Sequence, residues 1–574
     1  MSHLDGQGYL ERLHELWRTH WPADVPLELS YPHGQVLTDY LRARARQVPD
    51  RAVIVYYGYE LTFAELDDAS DRFAGHLERE GLGPGSRVAV FMSNCPQFLI
   101  AFYGILKAGC VHVPVNPMFK EAELAFELED TEPGLVVTFE ELLPLLERVR
   151  DPEVTTGVVV TTSAEYLPAE PTLPVPSGVD QAPRAPTPAT GVGGWTAFAD
   201  AIAGDPPTDP VPGDPDRLAA LNYTGGTTGM PKGCEHTQRD MVYTSACTSL
   251  GSDDDQPDVS LVFIPVFWIA GENSVVIAPV FTGTTCVLLN RWDPDAVLAA
   301  IERYGVTRMS ATVDNYLELM DHPRFDETDL SSLRTSAAMS FVKKLTPEIR
   351  ELWRRRAGDH LALREASYGM TETHTMDTLT YGFQDDDLDL HSQPVFVGVP
   401  YPGTEIKIAD FETGELVPLG DNGEIVIRTP SLLKGYWRRP DATADAIRDG
   451  WLHTGDVGTL DEEGFLHFLG RRKEMLKVNG MSVFPTEIEV LLNQHPDVDS
   501  CSVVGMPDPR TGEIPVACVI PADGGAELTE ESLVAWCKEN MATYKVPRIR
   551  ILEEFPMTTT GKVKKEELKQ SLAD

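Results

Sequence analysis

Through its first two thirds the chain alternates short β-branched apolar runs with segments of helix length, without an internal sequence repeat. RVAVFMS (87–93), CVHVPV (110–115), LVVT (135–138) and GVVVTT (157–162) read as strands, and Gln97–Lys107 and 141–149 read as helices between them. LVFIPV, TTCVLL, a helix from Pro294 to Tyr304 and VTRMS continue the series. Such alternation demands right-handed crossovers and mostly parallel sheets covered by helices. The expected fold is therefore α/β, with a large N-terminal domain of mostly parallel sheets layered with helices.

The pattern changes twice. Residues 167–214, rich in Pro, Gly, Asp and Thr, read as a surface excursion rather than a site. From Gly403, TEIKIAD and GEIVIR suggest short antiparallel strands in a small β-barrel-like subdomain. After Arg471 come a helix near 486–493, strands at SCSVVG and VACVIP, a helix near 529–539 and a strand at RIRIL, a small α+β domain. With 574 residues more than one domain is expected.

Charge narrows the partners. Acids number 89 against 48 Lys plus Arg, a net charge of −41, and only 15 of the 48 are lysine. Such a surface repels nucleic acid and anionic membranes. It fits adaptation to high salt, with stability rising toward molar salt, as well as an acidic protein of a GC-rich genome. No apolar run reaches the roughly 18–20 residues of a membrane span. The acid-bearing N-terminus lacks a secretory apolar core, so a cytoplasmic location is expected. The eight cysteines form no CxxC pair and read as reduced, buried thiols.

Five segments carry chemistry. In YTGGTTGMPKG (223–233), glycines let backbone N–H groups crowd around an anion, while Thr hydroxyls and Lys232 add donors and charge. It is phosphate-binding in character, yet not a Walker loop. YGMTE (368–372) offers a ring for a base, and Thr371 and Glu372 for a metal–nucleotide, since Mg²⁺ takes one or two carboxylates plus phosphate oxygens. HTGD (453–456) places one Asp at a turn, suited to a cap or to two ribose hydroxyls. GRRKEMLKVNGMSVFPTEIE (470–489) and TTTGKVKKEEL (558–568) are basic stretches that a solvated loop or helix would also explain.

In order and rough spacing these segments, with LKAGCVHVPVNP (106–117) and GYW (435–437), resemble the adenylate-forming (AMP-binding) superfamily, in particular its acyl-CoA synthetase or fatty-acid–CoA ligase type. The resemblance runs from about residue 35 to the end. It implies ATP, Mg²⁺ and coenzyme A as reactants with a carboxylic acid. Thr224, Gly225, Gly226, Thr227, Thr228, Gly229 and Lys232 then match the loop around the β- and γ-phosphates, with Thr228 and Glu372 toward the metal. Tyr368 and Gly369 match the adenine-side turn, Thr371 a phosphate contact, Asp456 and Arg471 the ribose contacts. Lys562 matches the lysine that bridges carboxylate and phosphate. Lys473 falls at the hinge, and Gly480 in the segment that faces the thiol tunnel. The implied division is 1–470 for the adenylating domain, 471–474 for the hinge and 475–574 for a mobile C-terminal domain.

The same resemblance assigns the acyl pocket to Trp268, Ala270 and Gly271, then Ala337, Ala338 and Met339, then His374 after Glu372. Trp268 would shorten the pocket, gate the thiol tunnel or fill core space. Asp314 and Asn315 mark a polar substrate group or a solvated loop. Peptide-synthetase adenylation domains place an Asp near Trp268, which favours a free-standing coenzyme A ligase. A carrier-protein acyl-AMP ligase and a luciferase-like oxidase remain alternatives. A pseudo-ligase scaffold fits poorly, because Lys232, Glu372, Asp456, Arg471 and Lys562 are all present. Homodimers are common in the superfamily.

Overall fold

The computed structural model describes the chain except residues 1–5, 188–193, 225–229, 251–257, 392–394, 479–480, 523–527, 559–561 and 573–574. The α/β expectation holds. One seven-stranded sheet runs Thr196–Ala197, Gly157–Thr161, Leu135–Phe139, Arg87–Phe91, Val111–Val115, Leu218–Tyr223, Gly233–Thr237. It is parallel until its last pair. A second seven-stranded sheet runs from Leu363–Glu365 through Thr335–Met339, Arg308–Thr312, Val259–Val262, Thr285–Leu288 and Ala52–Tyr56 to Tyr59–Thr62. It too turns antiparallel only at its final pair.

The main core spans elements of both sheets. Helix Pro96–Lys107 is buried at every position, which suits a helix apolar all round. Lys107, at its last turn, pairs with Asp67 at 2.6 Å and Asp71 at 3.0 Å. The excursion at 167–214 is less simple than its composition suggests. It adds the edge strand Thr196–Ala197 and buries Leu173, Val179 and Phe198 in the main core. A few well-placed apolar side chains suffice to pin a segment that Pro and Gly make look loop-like.

The β-rich part is a six-strand antiparallel path, from Thr378–Leu379 through Val395–Pro400, Leu466–Arg471, Trp451–Leu460 and Gly423–Arg428 to Glu405–Ala409. The unit after Arg471 has a core of its own, drawn from Leu476 to Ile549. Its long hairpin, Val498–Asp508 with Gly512–Pro521, packs beneath helix Pro485–Leu492. Among the described residues no helix is long and apolar enough to cross a membrane.

Gly271 is fixed by packing. A Cβ on Gly271 would lie 1.9 Å from the Pro265 carbonyl oxygen, backbone that cannot swing aside. Gly271→Ala should therefore cost at least about 1–3 kcal/mol, read as a lowered midpoint in urea unfolding. An unchanged midpoint would show that the 265–271 turn relaxes freely.

Candidate active site

Antiparallel pairing of Trp451–Leu460 with Leu466–Arg471 sets Asp456 opposite Arg471. The Arg471 Nε lies 3.2 Å from Asp456 Oδ1, and Tyr368 donates its hydroxyl to Oδ2 at 2.7 Å. Asp456 is 3% exposed. Burial pushes its carboxyl up, and the Arg471 guanidinium and the Tyr368 hydrogen bond pull it back. The Tyr368 ring, expected to serve a base, thus also spends its hydroxyl on the carboxylate expected to serve the ribose.

The turn that follows Tyr368 is strained. His374, Thr375 and Met376 have φ of 56°, 60° and 61°, three successive left-handed residues without a glycine. Such positions cost of order 1–3 kcal/mol each and persist only when the surroundings over-determine them. Here they do. Asp377 is buried and accepts the Thr373 hydroxyl at 2.5 Å; its backbone N–H bonds the Tyr368 carbonyl. A Cβ on Gly369 would meet the Met376 nitrogen at 2.6 Å, so the turn closes only over glycine. His236 Nε2 reaches the Thr371 carbonyl at 2.7 Å, and His374 Nδ1 reaches Thr244 Oγ1 at 3.0 Å. Burial, and next the neighbouring His236, push His374 down to about 3, so it is a neutral ring.

This turn presents Glu372, whose Oε1 accepts the Tyr436 hydroxyl at 2.8 Å. The Tyr436 ring lies 4.4 Å from the Lys232 ammonium. GYW and the end of the glycine-rich loop are stitched together by backbone: Glu235 N–H to the Gly435 carbonyl, Trp437 N–H to the Gly233 carbonyl. Thr224 N–H bonds the Lys232 carbonyl, and Lys232 N–H bonds Thr224 Oγ1, so the two ends of the loop meet. Gly225, Gly226, Thr227, Thr228 and Gly229 lie outside the described residues, as does Gly480.

Lys562 comes from the far end of the chain. Thr558 and Lys562 exchange backbone and hydroxyl hydrogen bonds, and a bridge between Met557 and Val563 closes the turn. Its ammonium sits 4.9 Å from the Phe341 ring and within the fields of Arg471, Asp456 and Glu474. Partial desolvation, then the Arg471 charge, hold the amine below the usual lysine range, although the residue keeps access to solvent. Lys473 occupies the short 3-10 turn Arg472–Glu474 just after Arg471.

The segments expected to line an acyl pocket sit deep. Ala337, Ala338 and Gly271 are buried, while Ala270 is half-buried and Trp268 and Met339 pack against the main core. Asn315 caps its own helix with Thr312, and the Asp314 carboxylate accepts the Lys343 N–H, so both lie on the helix Val313–Asp321 with partners inside the molecule rather than in a solvated loop. Sequence reasoning missed Glu272, one residue beyond Gly271. It is fully buried at the start of a π-helical turn, 3.2 Å from His112 Nε2 and 3.3 Å from Asn222 Nδ2. The acid immediately after an apolar pocket segment was the available signal. It also missed His236, whose partner lies 135 residues away.

Among the described residues no three His, Cys, Asp or Glu side chains gather as a metal cage. A single carboxylate, Glu372, beside a phosphate-type loop fits a magnesium ion brought in on a nucleotide, since Mg²⁺ keeps phosphate oxygens and waters as its other ligands.

Comparison with known proteins identifies the family. A family model described as AMP-binding enzyme matches residues 41–437, and the AMP-binding enzyme C-terminal domain matches 487–562. A long-chain-fatty-acid–CoA ligase of Bacillus subtilis is 31% identical over 557 residues, spanning 95% of this chain and 96% of that protein. A feruloyl-CoA synthase of Amycolatopsis sp is 33% identical over 528 residues, spanning 92% and 97%. The crystal structure of the anthranilate CoA ligase AuaEII with anthranoyl-AMP superposes with a TM-score of 0.78 at 26% identity, covering 96% of this chain and 98% of that one.

Proposed function

This chain belongs to the AMP-binding enzyme family, and from that premise we propose that Lys562, Asp456, Arg471, Tyr368, Glu372 and Lys232 form its adenylating centre. The protein is an AMP-forming acid–thiol ligase. It converts a carboxylic acid and ATP to acyl-AMP and pyrophosphate, then acyl-AMP and coenzyme A to acyl-CoA and AMP. The observation that carries the residue assignment is the Asp456–Arg471–Tyr368 corner of the β-rich part, with Lys562 of the C-terminal unit near enough for the Arg471 charge to act on its amine.

On this reading Asp456 and Arg471 hold the ribose, and Tyr368 and Gly369 border the adenine. Thr224, Gly225, Gly226, Thr227, Thr228, Gly229, Thr371 and Lys232 take the phosphates. Glu372 and Thr228 would hold magnesium, which supplies neutralisation of phosphate charge. The acid's carboxylate oxygen attacks the α-phosphorus and the bond to pyrophosphate breaks. Two anions must meet for this, and the Lys562 ammonium offsets their repulsion and the charge that builds in the transition state. In the second step the coenzyme A sulfur attacks the acyl carbonyl and AMP leaves.

The two steps need different groups at one place. We assign 1–470 to the adenylating domain, 471–474 with Lys473 to a hinge, and 475–574 to a domain that turns so that the Gly480 segment replaces Lys562. The independent hydrophobic core after Leu476 supports that division. The acid is proposed to be a hydrophobic monocarboxylate, fatty or aryl. Support comes from the apolar set Trp268, Ala270, Gly271, Ala337, Ala338 and Met339, with the His374 ring engaged by Thr244. The names of the relatives, long-chain fatty acid and ferulate, span the same range. A cytoplasmic homodimer is the proposed working form.

Pyrophosphate release should be measured with ATP and Mg²⁺ across acids from acetate to palmitate plus benzoate and ferulate, with and without coenzyme A. Turnover that requires coenzyme A and favours the larger apolar acids is expected. Preference for acetate, or for none of these acids, would refute the substrate assignment.

A further inference from the structure

The segment Ser340–Leu345 is where the body of the molecule grips the C-terminal unit. Its base is rigid. Ser340 donates its hydroxyl to Glu365 Oε2 at 2.5 Å, its N–H bonds Oε1 at 3.1 Å, and Leu345 N–H returns to Ser340 Oγ at 3.0 Å. Lys344 braces it further with a bond from Nζ to the Ser340 carbonyl at 3.0 Å. Three consecutive side chains then point across the boundary. Phe341 lies under the Lys562 ammonium. Val342 packs with Val504, Val516, Phe555 and Leu568, and among the described residues it is the cluster's only member from before Arg471. Lys343 Nζ lies 2.7 Å from Asp499 Oδ1 on the long hairpin.

We propose that Phe341, Val342 and Lys343 form a docking clasp, and that Lys343 and Asp499 are positioning residues that hold Lys562 at the Asp456–Arg471 corner for the first half-reaction. The inference rests on the adenylating role proposed for Lys562. A rotating unit needs a contact that is specific but not strong. The three elements supply that: an aromatic face, one apolar knob, and an ion pair whose side chains are 21% and 38% exposed. Partly exposed pairs are individually weak, so the contact can be released in each cycle. Asp314 is a second carboxylate beside Lys343, and it accepts the backbone N–H of that residue.

The test is a charge exchange read separately in each half-reaction. Acid-dependent ATP–pyrophosphate exchange and transfer from supplied acyl-AMP to coenzyme A are measured for wild type, Lys343→Glu, Asp499→Lys and the double variant. Either single reversal places like charges together. Each should lower kcat for exchange about five- to tenfold, leave KM for the acid unchanged and alter transfer less than about twofold. The double variant should recover exchange above either single variant, with a residual deficit because Asp314 still faces the new carboxylate at 343. Reversals that leave exchange intact, that slow both steps alike, or that the double variant fails to repair would overturn the clasp. Lys562→Ala, run alongside, separates the two proposals. If it spares exchange, the role of Lys562 falls. If it abolishes exchange while Asp499→Lys does not slow it, only the clasp falls.

Discussion

Lys562→Ala should lose on the order of 10²–10³ in acid-dependent ATP–pyrophosphate exchange, the cost of removing one preorganised donor from a transition state that gathers negative charge. The fold should survive. Lys562 is exposed, and the turn that carries it is closed by backbone bonds and by Thr558, none of which needs the amine. Transfer from supplied acyl-AMP to coenzyme A should suffer far less, because in the second step the lysine is proposed to have left. Equal loss in both steps would sink the assignment. The wild-type pH profile adds a second check. The amine is held below the usual lysine range by desolvation and by Arg471, and only the protonated form neutralises the reacting anions. Exchange should therefore decline on the alkaline side at a pH below ordinary lysine titration. Residual exchange in Lys562→Ala should lack that limb.

Asp456→Asn is expected to raise KM for ATP about 10–100-fold. The substitution keeps shape and still allows Tyr368 its hydrogen bond, but removes the charge opposite Arg471. Hydrogen bonds to charged groups are worth about 1.5–3 kcal/mol, and the buried carboxylate is the proposed acceptor for the ribose. Stability should also fall, because Arg471 loses its partner at a site only 3% exposed on the Asp456 side. Parallel measurement of ATP KM and a urea midpoint distinguishes the roles. A lowered midpoint with unchanged KM would leave Asp456 a structural residue and place the ribose elsewhere.

Much of this was legible before any coordinates. β-branched runs and Gly/Thr density act over a few residues, so the parallel sheets, the glycine-rich loop and the small α+β unit could be read locally. The order of five such segments was enough to identify the chemistry. Local signals failed where contact order is long. The 167–214 segment looks like a loop by composition, yet its buried apolar residues and edge strand are defined by partners elsewhere. Tyr368 reads as a ring for a base, but the partner of its hydroxyl, Asp456, lies 88 residues away and no local pattern shows it. Asp314 and Asn315 read as a polar substrate group or a solvated loop, and their places on the helix Val313–Asp321, one capping it and the other bonded to the Lys343 N–H, depend on partners that local pattern does not show.

What the sequence by itself determined, then, is the set of chemical groups and the class of sheet that carries them, since both follow from short-range pattern and residue type. Only the tertiary structure decided the left-handed run His374–Met376, the obligatory glycines at 271 and 369, the buried Glu272–His112 pair and the clasp at 341–343. The Glu272–His112 pair and the clasp are distances between segments remote in the chain, and the strained turn and the two glycines are backbone shapes held by the packing around them. Such distances are set by how whole layers pack, a property that no window of neighbouring residues encodes.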